Sequence, residues 1–358
     1  MHHQRLLTAA LLCAAAHAQI VAVSPADRGS LEGSSFTHFP IGRASARMQT
    51  LHSDLPPGTM LHGHAYRRDA TQVRGQVDGF SCDLQVTLSM SPNLPTQAST
   101  TFANNRGPNP VVVLPRTILA FPATQRPPLD PAATFDLVVP YAIPYLLPAT
   151  TGTLCVEVEV FGNQSAAGAN QNLSIYLDAH ENYTNGQAEQ PGFRTGAGCT
   201  APGSTSLCFA TMTLWRRAAG MDLDVALRNA VPSATGSSLA LLMLGLSSPT
   251  GLTLPGRPDC AFWSSGEVWT LLPGSVGATG SYDGTLSGLW LLPPGLRLWA
   301  QVGSIDLATG GLAASDATTI VVPPPGPQPI PASRIVNSTS QTAATGTVSY
   351  AVPVMGFL

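Results

Sequence analysis

The feature that most narrows the fold is a period of two. In "LCVEVEVF" (154–161), Val156, Val158 and Val160 fall on one side of an extended chain and Glu157 and Glu159 on the other. The same alternation runs through "CDLQVTLSM" (82–90), "MDLDVALR" (221–228) and "LRLWAQVGSI" (296–305). No long run places apolar residues at i, i+3, i+4 and i+7 between capping residues, so helices are excluded as the main elements. The short runs end at Gly, Pro, Asn or Ser, and the 34 glycines and 32 prolines supply the turns. The expectation is an all-β chain of two antiparallel β-sandwich domains in tandem, each strand with one buried and one wet face, followed by a proline-rich C-terminal tail.

Four segments follow. Residues 1–18, "MHHQRLLTAALLCAAAHA", have a short polar head, an apolar run too short to span a bilayer and an Ala-x-Ala end. They read as a secretory signal peptide cleaved after Ala18. Residues 19–190 form an N-terminal sandwich and 196–322 a C-terminal one, divided by the polar, Gly-rich stretch near 185–206. Trp215, Trp263, Trp269, Trp290 and Trp299 all lie beyond that divide, which fits two separate cores. Residues 323–358 open with "PPPGPQPIP" and read as a Pro-rich linker and tail with one strand at most.

Composition removes several function classes. Only 10% of residues are charged and the net charge is −3, so no basic field exists for nucleic acid. The longest apolar run after the signal, "LALLMLGL" (239–246), has strand length, so no transmembrane segment is expected in the mature chain. All 17 cationic side chains are arginine. Without lysine there is no Schiff base, no P-loop lysine and no lysine base. "GAGCTA" (196–201) lacks the flanking strand and helix of a dinucleotide loop, and neither G-x-S-x-G nor HExxH occurs.

Export makes disulfides the default for Cys82, Cys155, Cys199, Cys208 and Cys260, an odd number that leaves one over. Cys82 is expected to pair with Cys155, and Cys199 with Cys208 or Cys260. The longer loop constrains the unfolded chain more, by about 4 against 3 kcal/mol.

A resemblance adds to this reading. "EGSSFTHFPIGRASARMQTLHSDL" (32–55), "LHGHAYRRDA" (61–70), "STTFANNRG" (99–107) and "IYLDAH" (175–180) resemble segments of a group of secreted planctomycete proteins of unknown function. The region from "GAGC" (196–199) through "GRPDC" to "LRLWAQV" resembles a C-terminal β-domain common in that group. The resemblance implies secretion and an all-β fold, and it carries over no functional residue.

The candidate site residues are few. On a regular strand His62 and His64 point the same way, about 6.6 Å apart along the chain. With His180 as a third ligand they are the set that could hold a metal. The competing reading is a packed strand, and the resemblance, which has an apolar residue at the place of His64, implies the latter. Glu157 and Glu159 read as solvated neighbours rather than the opposed carboxyls of a glycosidase. Asp222 and Asp224 are too few for calcium. The tryptophans read either as core or as a platform for stacking sugars. No catalytic residue and no cofactor are expected. The reading is a secreted, non-catalytic binding or structural protein of the extracellular space or cell envelope. Its alternatives are a carbohydrate-binding module, with polysaccharide or another envelope component as partner, or a polysaccharide hydrolase or lyase with acids on a concave sheet face.

Overall fold

The computed structural model describes residues 19–70, 76–125, 127, 132–183, 187–217, 220–248, 252–254, 257–289, 292–323 and 329–358. The expected signal peptide, Trp290, residues 185 and 186 of the expected divide and residues 324–328 of the proline-rich stretch lie outside them. The described chain is almost entirely antiparallel β-sheet, as the period of two predicts. Among the described residues, no helix is long and apolar enough to cross a membrane.

The first core lies under a seven-stranded sheet whose centre is the long strand Thr153–Ser165, paired with Phe80–Ser91 on one side and Ala46–His52 on the other. Opposite lie a four-stranded and a three-stranded sheet carrying Met60–Tyr66, Leu137–Leu146 and Leu177–Glu181. Val156, Val158 and Val160 fill the space between with Leu84, Val86, Leu88, Tyr66 and Val139. The valine half of the alternation therefore behaves as expected. The glutamate half does not. Glu157 is 1% exposed, because the short helix Phe102–Asn105 and its flanks cover that side of the sheet. It accepts hydrogen bonds from Gln49 Nε2 at 2.6 Å, Arg47 Nε at 2.9 Å and Arg106 Nε at 2.7 Å. The wet face expected there is a buried polar layer, affordable only because each carboxylate oxygen is met by a donor.

The expectation of a C-terminal tail is corrected. Ala332–Asn337 pairs with Ala46–His52 inside the seven-stranded sheet, and Ala351–Pro353 pairs with Leu177–Glu181. Met355–Phe357 lies between Ala22–Ser24 and Met60–Tyr66. Met355 and Phe357 are fully buried members of the first core. These strands are three to six residues long and interrupted by proline, too short to show a period. They exist because distant strands supply their hydrogen-bond partners. The two sandwiches are consequently nested rather than in tandem. The chain leaves the first after Tyr183, builds the second and returns by Pro329.

The second sandwich follows local pattern more closely. Phe209–Arg217 and Gly220–Arg228 alternate buried and half-buried residues along most of their length. They form a four-stranded sheet with Ala188–Pro191 and Tyr282–Leu289. Facing it are Phe193–Thr195, Leu312–Val321, Arg297–Asp306, Ser238–Gly245 and Val268–Leu271. The core between them is mainly Leu, Val, Ile, Met and Ala, including Leu214, Leu223, Leu242, Val302 and Ile320, with Tyr282. Among the described residues, no tryptophan belongs to it. Trp215, Trp263 and Trp299 are half-buried, and Trp269 is exposed.

Candidate functional site

The histidines weighed as metal ligands are not brought together. A register shift between Leu61 and Gly63 leaves His62 exposed, while His64 is buried. His64 sits between two tyrosines, with Nδ1 2.9 Å from Tyr141 Oη and Nε2 3.1 Å from Tyr66 Oη. Burial depresses its pKa to about 3, so the ring is a neutral hydrogen-bonding member of the core. His180 lies on another sheet, and the clusters of potential metal ligands among the described residues contain no histidine.

The cysteine expectation is corrected in part. Cys199 pairs with Cys260, the longer of the two loops considered, at a sequence separation of 61 with Cα atoms 4.9 Å apart. Cys82, Cys155 and Cys208 are free and buried. Cys82 and Cys155 belong to different clusters, Cys82 facing the sandwich interior and Cys155 packing with Leu51 and Phe102. Two neighbouring strands thus carry them on opposite faces, which precludes the expected bond. The glycines of "GAGC" also find a structural cause. Gly196, with φ of +78°, lies so close to the indole of Trp263 that a Cβ would sit 2.4 Å from the ring.

A buried charged cluster surrounds Arg67, which alternation gave no means of finding. Its Nε donates to Asp178 Oδ2 at 2.7 Å, and its guanidinium also reaches the carbonyls of Gly29 and Leu31. Asp178 Oδ1 accepts from the Gly33 amide at 2.9 Å. Glu32 Oε1 accepts from the Ala70 amide at 2.7 Å. Carboxylate oxygens of Glu32, Asp69 and Asp178 lie within 4.8 Å of one another. Burial, with the Asp178 charge beside it, pushes the Glu32 pKa up to about 9, so this carboxyl keeps its proton at neutral pH. In the fold the tripeptide Arg67-Arg68-Asp69 clamps the first sandwich from within.

The concave polar site lies beside this cluster, where the chain passes between the two cores. It is a crevice of about 320 Å³. One wall is the single turn Ala26–Arg28 with Asp54, another the end of Leu177–Glu181 with Asn182 and Tyr183, and the third Gln187, Ala188 and the returning Pro329–Pro331. Arg28 is 2% exposed and spans the junction. Its Nη1 donates to Gln190 Oε1 at 2.6 Å and its Nη2 to Asp27 at 2.9 Å.

Asp54 is positioned by a relay that sequence reasoning missed. It accepts from the Ser24 hydroxyl at 2.6 Å and from the Ala26 amide at 2.8 Å. Ser24 in turn lies 2.7 Å from His52 Nδ1, and His52 Nε2 lies 2.8 Å from Thr50 Oγ1. Because Ser24 gives its proton to Asp54, the consistent assignment puts the His52 proton on Nδ1, with Thr50 donating to Nε2. The residue types are those of a hydrolase triad, but the order is not. The carboxylate binds the serine rather than the histidine, and Ser24 and His52 are fully buried. Burial lowers the His52 pKa to about 3. The relay orients Asp54 and presents no nucleophile.

His180 is treated similarly. The Glu181 amide donates to Ser34 Oγ at 3.1 Å, and Ser34 lies 3.1 Å from His180 Nδ1. Burial, with Arg28 nearby, holds the imidazole pKa well below its ordinary value. The ring is therefore neutral, and it shares one proton with Ser34 across the Nδ1–Oγ contact. Glu181, on the same wall, has no ion pair among the described residues. Tyr183 donates to Glu189 at 2.5 Å, and its ring meets that of Trp215 edge-on at 5.4 Å. Asp27, Asp54 and Glu181 outnumber the one cation, Arg28, so the crevice carries negative potential. It offers a neutral imidazole, carboxylates, side-chain amides and an aromatic flank. Compared with known proteins, the chain matches no family model, no curated protein and no solved structure.

Proposed function

We propose that this is an exported, non-catalytic binding protein that holds a neutral or amino-substituted sugar in the crevice between its two sandwiches, with envelope or extracellular polysaccharide as the source. One observation carries this reading. Hydrogen-bonding groups fixed by buried partners converge on a concave wall that both sandwiches build, the place where small-ligand sites recur. Sugars are recognised by such mixed donors and acceptors. Surplus carboxylates admit hydroxyl and ammonium groups and repel uronates, sulfates and phosphates. The absence of lysine removes one group of catalytic bases, and the one Ser–His–Asp constellation at the crevice is ordered for support rather than attack.

The experiment is a glycan array with the chain from Gln19, followed by calorimetry on any hit. We expect binding of neutral or amino sugars, weakened at least tenfold by His180→Ala and by Glu181→Gln. Failure to bind any glycan, or a preference for anionic ones, overturns the ligand class. Turnover of the bound glycan overturns the non-catalytic reading.

A further inference from the structure

The second sandwich gapes along one side. The two sheets end there in the edge strands Val268–Leu271 and Tyr282–Leu289, and between them lies a cleft of about 430 Å³. Its floor is core. Leu214, Leu223 and Ile320 line it and are no more than 2% exposed. Its mouth is apolar as well, with Leu246 57% and Val268 40% exposed. Packed sheets stand about 10 Å apart, so the slot admits a chain one or two methylenes wide and excludes a globular partner. Leu246 and Val268 at the mouth meet water at a free-energy cost that a hydrocarbon chain seated there would relieve.

Polarity is confined to the rim and has one sign. Among the described residues lining the cleft, Glu267 is the sole ionisable one. Its Oε2 accepts from the Ser265 hydroxyl at 2.7 Å and from the Leu246 amide at 3.0 Å. Those donors hold it below the usual carboxylate range, so it is an anion fixed at the entrance. We propose that the cleft binds the hydrocarbon chain of a single-chain amphiphile, with a cationic head held at Glu267. The leucines fill the volume requirement and Glu267 sets the choice of head. The site is separate from the crevice and independent of the sugar reading.

The test uses the chain from Gln19 and three amphiphiles of equal tail below their micellar concentrations: decyltrimethylammonium, decyl glucoside and decyl sulfate. Calorimetry should show one-to-one binding, with the ammonium at least tenfold tighter than the sulfate and the glucoside between. Glu267→Gln should erase the difference between heads and Glu267→Lys should reverse it. Ser287→Trp, at the exposed mouth and away from the core, should weaken all three at least tenfold while the thermal transition stays in place. Equal affinities that ignore Glu267, or no binding, overturn the proposal. So does sedimentation showing a dimer that dissociates on Ser287→Trp, since a second copy would then be the occupant.

Discussion

The two sandwiches solve the same packing problem with different materials. The first buries Arg28, Arg67, Glu32, Asp178, Glu157, His52 and His64, and it is sewn shut by strands from the far end of the chain. The second packs its core with Leu, Val, Ile, Met and Ala, buries fewer charges (Arg216, Asp306 and Asp316), draws on one continuous stretch of sequence and adds the Cys199–Cys260 bond. A buried polar group contributes only when every partner is in place, so the first core depends on long-range closure. An apolar core tolerates local imperfection, which is how the second can leave a cleft open between its sheets. The sharpest way to break the comparison is truncation after Pro331. It removes Met355, Phe357 and two strands of the seven-stranded sheet, Ala332–Asn337 and Thr347–Ser349, and the first sandwich should fail to fold. Every tryptophan lies in the second region, so tryptophan emission should still report a cooperative transition. Loss of both transitions would show that the second sandwich needs the first. Short of truncation, Phe357→Ala should cost the first transition about 3–5 kcal/mol.

What was legible in the sequence divides along the same line. Phe209–Arg217 and Gly220–Arg228 could be read because alternation is a local signal and their outer faces are partly wet. Thr153–Ser165 shows the same alternation, yet its glutamate face is buried, because cover arrives from residues 102–106, far off in sequence. Ala351–Pro353 and Met355–Phe357 were illegible, since three residues cannot display a period. The crevice was half visible. His180 was named as a candidate ligand, but Glu181, Ser24, Asp54 and Arg28 join it only through pairing across the fold. The cystine was legible as one of two options between which the sequence did not decide.

Two substitutions of similar size should act on opposite halves. Arg67→Met leaves Asp178 and its neighbours without their buried cation and should cost the first transition about 3–5 kcal/mol. Asp178→Asn added to it should recover part of that loss, which a double-mutant cycle measures. Replacing Cys199 and Cys260 together by serine reopens a 61-residue separation and should cost the second transition about 4 kcal/mol. Each pair should leave the other sandwich's midpoint in place. Crossed effects would mean that the Arg28–Gln190 contact at the crevice couples the two cores.

The smallest effect is the most diagnostic, because it depends on pH. Glu32 has a folded pKa raised from 4.5 to about 9 by burial. Between those values the folded chain holds a proton that the unfolded chain has released, so the stability it contributes is complete below pH 4.5 and is lost as pH rises through 9. The histidines act with the other sign. His52 and His64 have folded pKa values lowered from 6.5 to about 3, so their contribution is complete above pH 6.5 and is lost as pH falls through 3. The first sandwich should therefore be most stable in the weakly acidic to neutral range. One such group bends the curve by at most about 1.4 kcal/mol per pH unit. Glu32→Gln, neutral at every pH, should flatten the alkaline limb of the first transition and leave the acid limb alone. His64→Gln should do the reverse. Calorimetric melts from pH 4 to 9 would resolve this, and an alkaline limb that survives Glu32→Gln would place the buried proton on another group of the cluster.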